Sequence, residues 1–109
     1  MIEDVLYDFY AELPDKGIFG IGGDHSVSYP LTKNIPASKK QQGKRAAIIH
    51  FDAHTGLLVE RLGIDLCFGS WCTHILDDLH ERHHLIQIGI RSNGNSQRHW
   101  EETFGVRLY

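Results

Sequence analysis

The sequence lacks most features that mark secreted, membrane-bound or nucleic-acid-binding proteins. Two cysteines among 109 residues, Cys67 and Cys72, are too few for a disulfide framework and favour a reducing, cytoplasmic location. No apolar run approaches the ~20 residues needed to span a bilayer, and the acidic start, residues 1–4, is unlike a signal peptide. Lysine and arginine number 11 against 14 acidic residues, so a net charge of −3 argues against a nucleic-acid partner. We therefore expect a cytoplasmic protein with neither nucleic acid nor membrane as a partner.

The composition that remains is that of one globular domain. Hydrophobic residues make up 41% of the chain and charged residues 23%, which excludes a wholly disordered protein. A length of 109 residues leaves room for one hydrophobic core. Residues 1–109 are therefore interpreted as a single domain or a part of one. The eight histidines are the unusual component, since imidazole is a common metal ligand.

Apolar runs and helical periodicities alternate along the chain. Short apolar runs predict strands over residues 18–21, 46–52, 85–90 and 106–109. Apolar residues at helical spacing predict helices over 2–13, 27–33, 70–80 and 97–104, with Ser70 as an N-cap. The polar, basic residues 37–45 are interpreted as a solvated connection.

This alternation indicates an α/β fold with a small parallel sheet. Three or four parallel strands leave exposed edges that favour pairing with further strands. We therefore expect either a homo-oligomer or part of a longer chain.

Polar residues follow two of the predicted strands. Asp24 and His25 come after the first strand, and Asp52 and His54 after the second. Ligands of parallel sheets gather beyond the carboxyl ends of strands, and carboxylate with imidazole suits Mn²⁺, Zn²⁺, Fe²⁺ or Ni²⁺. A metal site is one interpretation. In the other, the aspartates cap the following helices and the histidines are merely polar.

A zinc site is a weaker candidate elsewhere in the sequence. Cys67, Cys72 and His74 lie close together, but their spacing is not that of a zinc finger. Cys72 also falls on the apolar face of its predicted helix, which favours a buried structural thiol.

Three segments stand out as motifs, namely Gly22-Gly23-Asp24-His25-Ser26, Phe51-Asp52-Ala53-His54-Thr55 and Gln87-Ile88-Gly89-Ile90-Arg91. They resemble recurring motifs of the ureohydrolase superfamily, which includes arginase, agmatinase and formiminoglutamase. The resemblance implies a three-layer α/β/α arginase-like fold, here a partial one. It also implies a hydrolase in which two Mn²⁺ ions activate water to cleave guanidino or formimino C–N bonds of a small substrate.

The resemblance also assigns roles to individual residues. His25 matches a ligand of one metal ion and His54 a ligand of the other, whereas Asp52 matches a carboxylate that bridges both ions. Asp24 would orient its neighbour from behind the ligands. The catalytic residues beyond these ligands are not assigned.

Two departures from the motifs affect the expected activity. Gly56 stands where the second motif usually has another aspartate, and the Ser-x-Asp-x-Asp motif has no match in this sequence. Asp52 alone leaves most of the charge of two divalent ions uncompensated, so their mutual repulsion disfavours a dinuclear site. We expect the isolated chain to be impaired or inactive as an enzyme. The alternative is a non-catalytic, self-associating or binding module derived from the same family.

Overall fold

The chain folds around a small parallel sheet. In the computed structural model, which describes residues 2–13, 15–92 and 94–109, the sheet has the order β1-β2-β3. The strands are β1 (Ile48–Phe51), β2 (Leu85–Ile88) and β3 (Arg107–Leu108). Both neighbouring pairs are parallel, as expected for near-continuous apolar segments separated by helices. The predicted α/β class is thereby confirmed.

Helices fill the connections between these strands. The α-helices are α1 (Ile2–Glu12), α2 (Ser28–Lys33), α3 (Ile35–Gln41), α4 (Trp71–Ile75) and α5 (Gln97–Phe104). Short 3-10 turns occur at His25–Val27, Leu76–Asp78 and Arg82–His84. Within the described ranges, no helix is long and apolar enough to cross a membrane.

The core lies on one face of the sheet. Leu85 of β2 and Ile75 of α4 are almost completely buried there, together with Leu57 from the loop after β1. Each such side chain contributes roughly 1.5–3 kcal/mol through removal of apolar surface from water. Side chains alternate along a strand, so Ile49 and Phe51 of β1 point to the opposite face, where they are 59% and 73% exposed.

The prediction of a strand over residues 18–21 is wrong. This segment has no regular secondary structure and pairs with no strand in the described structure, and Phe19 and Ile21 are each 90% exposed. An apolar run shows that a segment is suited to a sheet, but a strand also needs a neighbour that completes its backbone hydrogen bonds.

The prediction of a solvated connection over residues 37–45 is wrong in its first half. Residues 37–41 belong to α3, which begins at Ile35 with Pro36 in its first turn. Proline fits there because the first backbone N–H groups of a helix have no intrahelical acceptor. The Asn34-Ile35-Pro36 segment therefore starts a second helix after α2.

The helix predicted over residues 70–80 is shorter than expected. It consists of α4 followed by a 3-10 turn that ends at Asp78. Ser70 occupies the N-cap position, but its hydroxyl does not cap the helix. The Ser70 hydroxyl instead donates to the carbonyl oxygen of Asp65 and accepts from the backbone N–H of Cys67, so it closes the preceding loop.

Candidate metal centre

Asp52 lies at the carboxyl end of β1, where the chain leaves the sheet. Its Oδ1 accepts a hydrogen bond of 3.0 Å from the backbone N–H of His54. Such a contact between an aspartate and the backbone two residues later stabilises a turn. The turn holds the carboxylate at the sheet edge with its side chain 16% exposed.

A short 3-10 turn brings His25 to the same place. Asp24 is the N-cap of this turn, and its Oδ1 accepts a hydrogen bond of 2.8 Å from the backbone N–H of Ser26. A Cβ at Gly22 would lie 2.3 Å from Cγ2 of Val27, so this position requires glycine for the chain to fold back so closely. The structure therefore places Asp24 as the residue that shapes the turn carrying His25.

The histidines predicted from the sequence meet the two oxygens of one carboxylate. Nε2 of His25 lies 3.2 Å from Oδ2 of Asp52, and Nδ1 of His54 lies 3.4 Å from Oδ1. Both imidazoles are well exposed, at 51% and 70% of the side chain. An ion entering from solvent can reach them without a rearrangement of the core.

A third imidazole at this site, that of His50, was missed by the sequence analysis. Its Nε2 lies 3.2 Å from Oδ2 of Asp52, and its side chain is only 6% exposed. The ring contacts Trp71 edge to face, with the ring centres 5.1 Å apart. The signal was available, because residues two apart in a strand share a face and His50 precedes Asp52 by two positions.

The electrostatic environment keeps the carboxylate charged. Burial alone would raise the pKa of Asp52, but the hydrogen bond from the His54 backbone and the nearby His25 and His50 imidazoles outweigh it, so the pKa lies below its usual range. Burial is the main cause that lowers the pKa of His50, and the attraction of Asp52 offsets it only in part. An ionised carboxylate beside a neutral imidazole therefore dominates near neutral pH.

Gly56 stands where the related motif has an aspartate, and neighbouring side chains fill the space around it. Its φ is +64°, and a Cβ there would lie 3.0 Å from Nε1 of Trp71 and 3.1 Å from Sγ of Cys72. The backbone at this position is therefore suited to glycine and closely packed against α4.

A cleft opens beside the cluster. It has a volume of about 420 Å³, and Asp52, His25 and His54 all line it. Its other walls are mainly apolar or aromatic, and they include Leu58, Phe68, Trp71, Trp100 and the charged Arg61. Concave, largely apolar sites with a few convergent polar groups are typical of small-molecule binding.

Two groups of potential metal ligands occur among the described residues. Ligand atoms of His25, His50 and Asp52 all lie within 4.8 Å of one another, and the second group is Glu81, His83 and His84. The weaker zinc candidate does not form such a group. Cys72 is buried, and Nε2 of His74 is engaged with the carbonyl oxygen of Asp65.

The fold and the site together define a class, namely α/β proteins in which imidazole and carboxylate groups converge at the end of a parallel strand. The sequence model of the arginase family matches residues 1–109. The chain therefore belongs to the arginase family, and the resemblance to ureohydrolases inferred from the sequence motifs is confirmed.

Several relatives support this membership. An agmatinase from Bacillus anthracis is 33% identical over 108 residues, which are 97% of this chain and 36% of that protein. The mitochondrial arginase of Medicago truncatula is 34% identical over 89 residues, covering 82% of this chain and 25% of the relative. The chain thus spans about a third or less of the length of these curated relatives.

Solved structures share the fold. Formimidoylglutamase from Bacillus subtilis superposes with a TM-score of 0.78 at 30% sequence identity, covering 99% of this chain and 33% of that one. Arginase from Medicago truncatula gives a TM-score of 0.70 at 28% identity over 99% of this chain and 34% of that structure. The folded part of this chain is therefore arginase-like.

Proposed function

We propose that this chain carries part of the active site of a Mn²⁺-dependent hydrolase that cleaves guanidino or formimino C–N bonds. The proposed ligands are His25, Asp52 and His54. The observation that carries the proposal is the position of the two histidines on different oxygens of the Asp52 carboxylate. His25 lies beside one oxygen of this carboxylate and His54 beside the other, so these three side chains would hold divalent metal at the end of β1.

The donor set suits a divalent transition metal, since imidazole nitrogen and carboxylate oxygen both bind Mn²⁺ and its neighbours in the series. When bound, such ions supply an activated water and polarise the substrate. The chain itself would hold the ions through Asp52 and orient His25 through the turn that Asp24 caps. The apolar walls of the cleft would limit water around the planar amidine group of the substrate.

We further propose that the chain by itself is impaired or inactive. Asp52 is the only carboxylate in its cluster of potential ligands within the described residues, and the imidazoles are neutral ligands. Two divalent ions would retain most of their charge and repel each other strongly in a partly dry site. A single weakly held ion is the occupancy that this donor set supports.

Metal titration and product assays test both parts of the proposal. Titration of the full chain with Mn²⁺ should give weak binding that Asp52→Asn abolishes. Asp15→Asn is a matched control because Asp15 is 85% exposed and belongs neither to the ligand cluster nor to the lining of the cleft. Absence of Mn²⁺ binding in the wild-type chain would refute the metal site.

The catalytic part is tested with arginine and agmatine, followed by urea formation, and with a formimino substrate, followed by formamide. We expect negligible turnover by the pure chain with Mn²⁺. Turnover that is lost in Asp52→Asn would refute the proposed inactivity and support the proposed chemistry directly.

A second candidate function, a non-catalytic self-associating module, is favoured by the exposed side of the sheet. In the described part of the chain β1 pairs only with β2, and its Ile49 and Phe51 side chains are largely exposed. Open sheet edges with apolar side chains promote strand pairing with another chain.

We retain the cytoplasmic location expected from the sequence, which the two unpaired thiols Cys67 and Cys72 support.

A further inference from the structure

The buried His50 has hydrogen-bonding partners on both ring nitrogens. Its Nε2 faces Oδ2 of Asp52 at 3.2 Å, and its Nδ1 faces Nε2 of Gln87 at 3.0 Å. Gln87 is completely buried on β2 and is the register partner of His50 across the sheet. The backbone pairing of two strands therefore sets the geometry of this contact.

A backbone carbonyl fixes the orientation of the Gln87 amide. The NH₂ group of Gln87 lies 2.5 Å from the carbonyl oxygen of Thr55. A carbonyl oxygen can only accept a hydrogen bond, so the amide must present its NH₂ group there, because its own oxygen would be repelled. The same NH₂ group contacts His50, which means that Nδ1 of His50 must accept.

The acceptor role of Nδ1 determines where the imidazole carries its proton. A neutral imidazole has one N–H group and one acceptor nitrogen. With Nδ1 accepting from Gln87, the proton is on Nε2, where it is donated to Oδ2 of Asp52. A nitrogen that carries a proton has no free lone pair for a metal ion.

We propose that Thr55, Gln87 and His50 form a buried hydrogen-bond chain that positions the Asp52 carboxylate, and that His50 is a positioning residue instead of a metal ligand. The proposal deepens the proposed function and rests on it for the role of Asp52. Outer hydrogen bonds of this kind fix the orientation of ligands and tune their affinity for metals.

The competing arrangement is a mononuclear site of His25, His50 and Asp52, whose ligand atoms are close enough to share one ion. Such a site needs an unprotonated Nε2 on His50, so a neutral ring would carry its proton on Nδ1. That N–H would then point at the NH₂ group of Gln87, which places two donors against each other. The hydrogen bond from Gln87 to Thr55 thus disfavours His50 as a ligand.

Nuclear magnetic resonance of the full chain labelled with ¹⁵N tests the protonation pattern directly. Long-range ¹H–¹⁵N correlations of the imidazoles should show His50 with a protonated Nε2 and an unprotonated Nδ1. The pattern should persist after addition of Zn²⁺, which is diamagnetic. An unprotonated Nε2 in either state, or a Zn²⁺-induced shift of that nitrogen typical of direct coordination, would overturn the proposal.

Two substitutions at His50 separate positioning from coordination in a Mn²⁺ titration. In His50→Gln the side-chain NH₂ group takes the place of the Nε2–H donor, so Mn²⁺ affinity should stay close to that of the wild-type chain. In His50→Phe the donor is lost, and the affinity should fall by roughly 10–100-fold. Equal losses in both variants would show that the imidazole nitrogen itself binds the metal.

Two controls keep the outcomes separate. Far-ultraviolet circular dichroism and the urea-dependent change in the fluorescence of the two buried tryptophans, Trp71 and Trp100, report whether each variant is folded. If the wild-type chain binds no Mn²⁺, the proposed function fails. The protonation pattern of His50 in the metal-free chain still decides whether the hydrogen-bond chain exists.

Discussion

Replacement of Gly56 by alanine should destabilise the chain strongly. Its φ of +64° lies in the left-handed region, where a residue with a Cβ costs roughly 1–2 kcal/mol. The new Cβ would also meet Nε1 of Trp71 and Sγ of Cys72 at 3.0 and 3.1 Å. Both neighbours are buried, so relief requires a shift in the core, for which overpacking costs roughly 1–3 kcal/mol. We expect a loss of about 2–5 kcal/mol in the free energy of unfolding.

Two other glycines provide controls for the two causes. Gly43 has a φ of +68°, but a Cβ there would have no neighbouring atom within 4 Å, so Gly43→Ala should lose only the roughly 1–2 kcal/mol of the backbone cost. Gly17 has neither a positive φ nor such a neighbour, so Gly17→Ala should be neutral or gain up to about 1 kcal/mol. Urea denaturation followed by tryptophan fluorescence gives all three values. The reasoning is refuted if Gly56→Ala loses no more stability than Gly43→Ala.

The buried imidazole of His50 should make stability depend on pH. Because folding lowers the pKa of His50, its contribution to stability is complete above the unfolded value of about 6.5 and is lost as the pH falls below it. The free energy of unfolding, measured by urea denaturation at several pH values, should therefore change less steeply with pH in His50→Gln than in the wild-type chain. An equal slope would assign the effect to other groups. Ellman's reagent should modify Cys67 in the native chain, because the Ser70 hydroxyl lowers its pKa, and Cys72 only after unfolding, because burial raises its pKa. Similar native rates for both thiols would contradict the buried position of Cys72. Light scattering should show self-association that rises with concentration and weakens in Phe51→Lys; a compact wild-type monomer at high concentration would contradict it.

The sequence predicts the strands well where each has a neighbour within the chain. Residues 48–51, 85–88 and 107–108 all fall inside predicted strands. The segment 18–21 has the same apolar character but no pairing partner among the described residues. The local sequence pattern contains no information about whether a neighbouring strand is present. Similarly, Pro36 is compatible with both the end of one helix and the first turn of the next, and only the tertiary packing decides between them.

The candidate site was predictable where it depends on strand ends. Asp52 and the residues around it follow a clear strand, so their place at the sheet edge follows from the topology. The place of His50 beside Asp52 follows from their two-residue spacing in the strand. Its hydrogen bond with Gln87 does not, because Gln87 lies 37 positions away and contacts His50 only through the register of β1 and β2. Contacts of this type require knowledge of which residues pair across the sheet.

The unpaired segment before His25 has a consequence for folding. Residues 18–21 form no backbone hydrogen-bond ladder with β1. The side chain of His25, which follows this segment, nevertheless contacts Asp52 at the end of β1. An ion shared by these two side chains would close a large loop and thereby act as a cross-link, which restricts the unfolded chain more than the folded one. Metal loading would then anchor the amino-terminal helices to the sheet, so thermal stability and ion uptake should rise together.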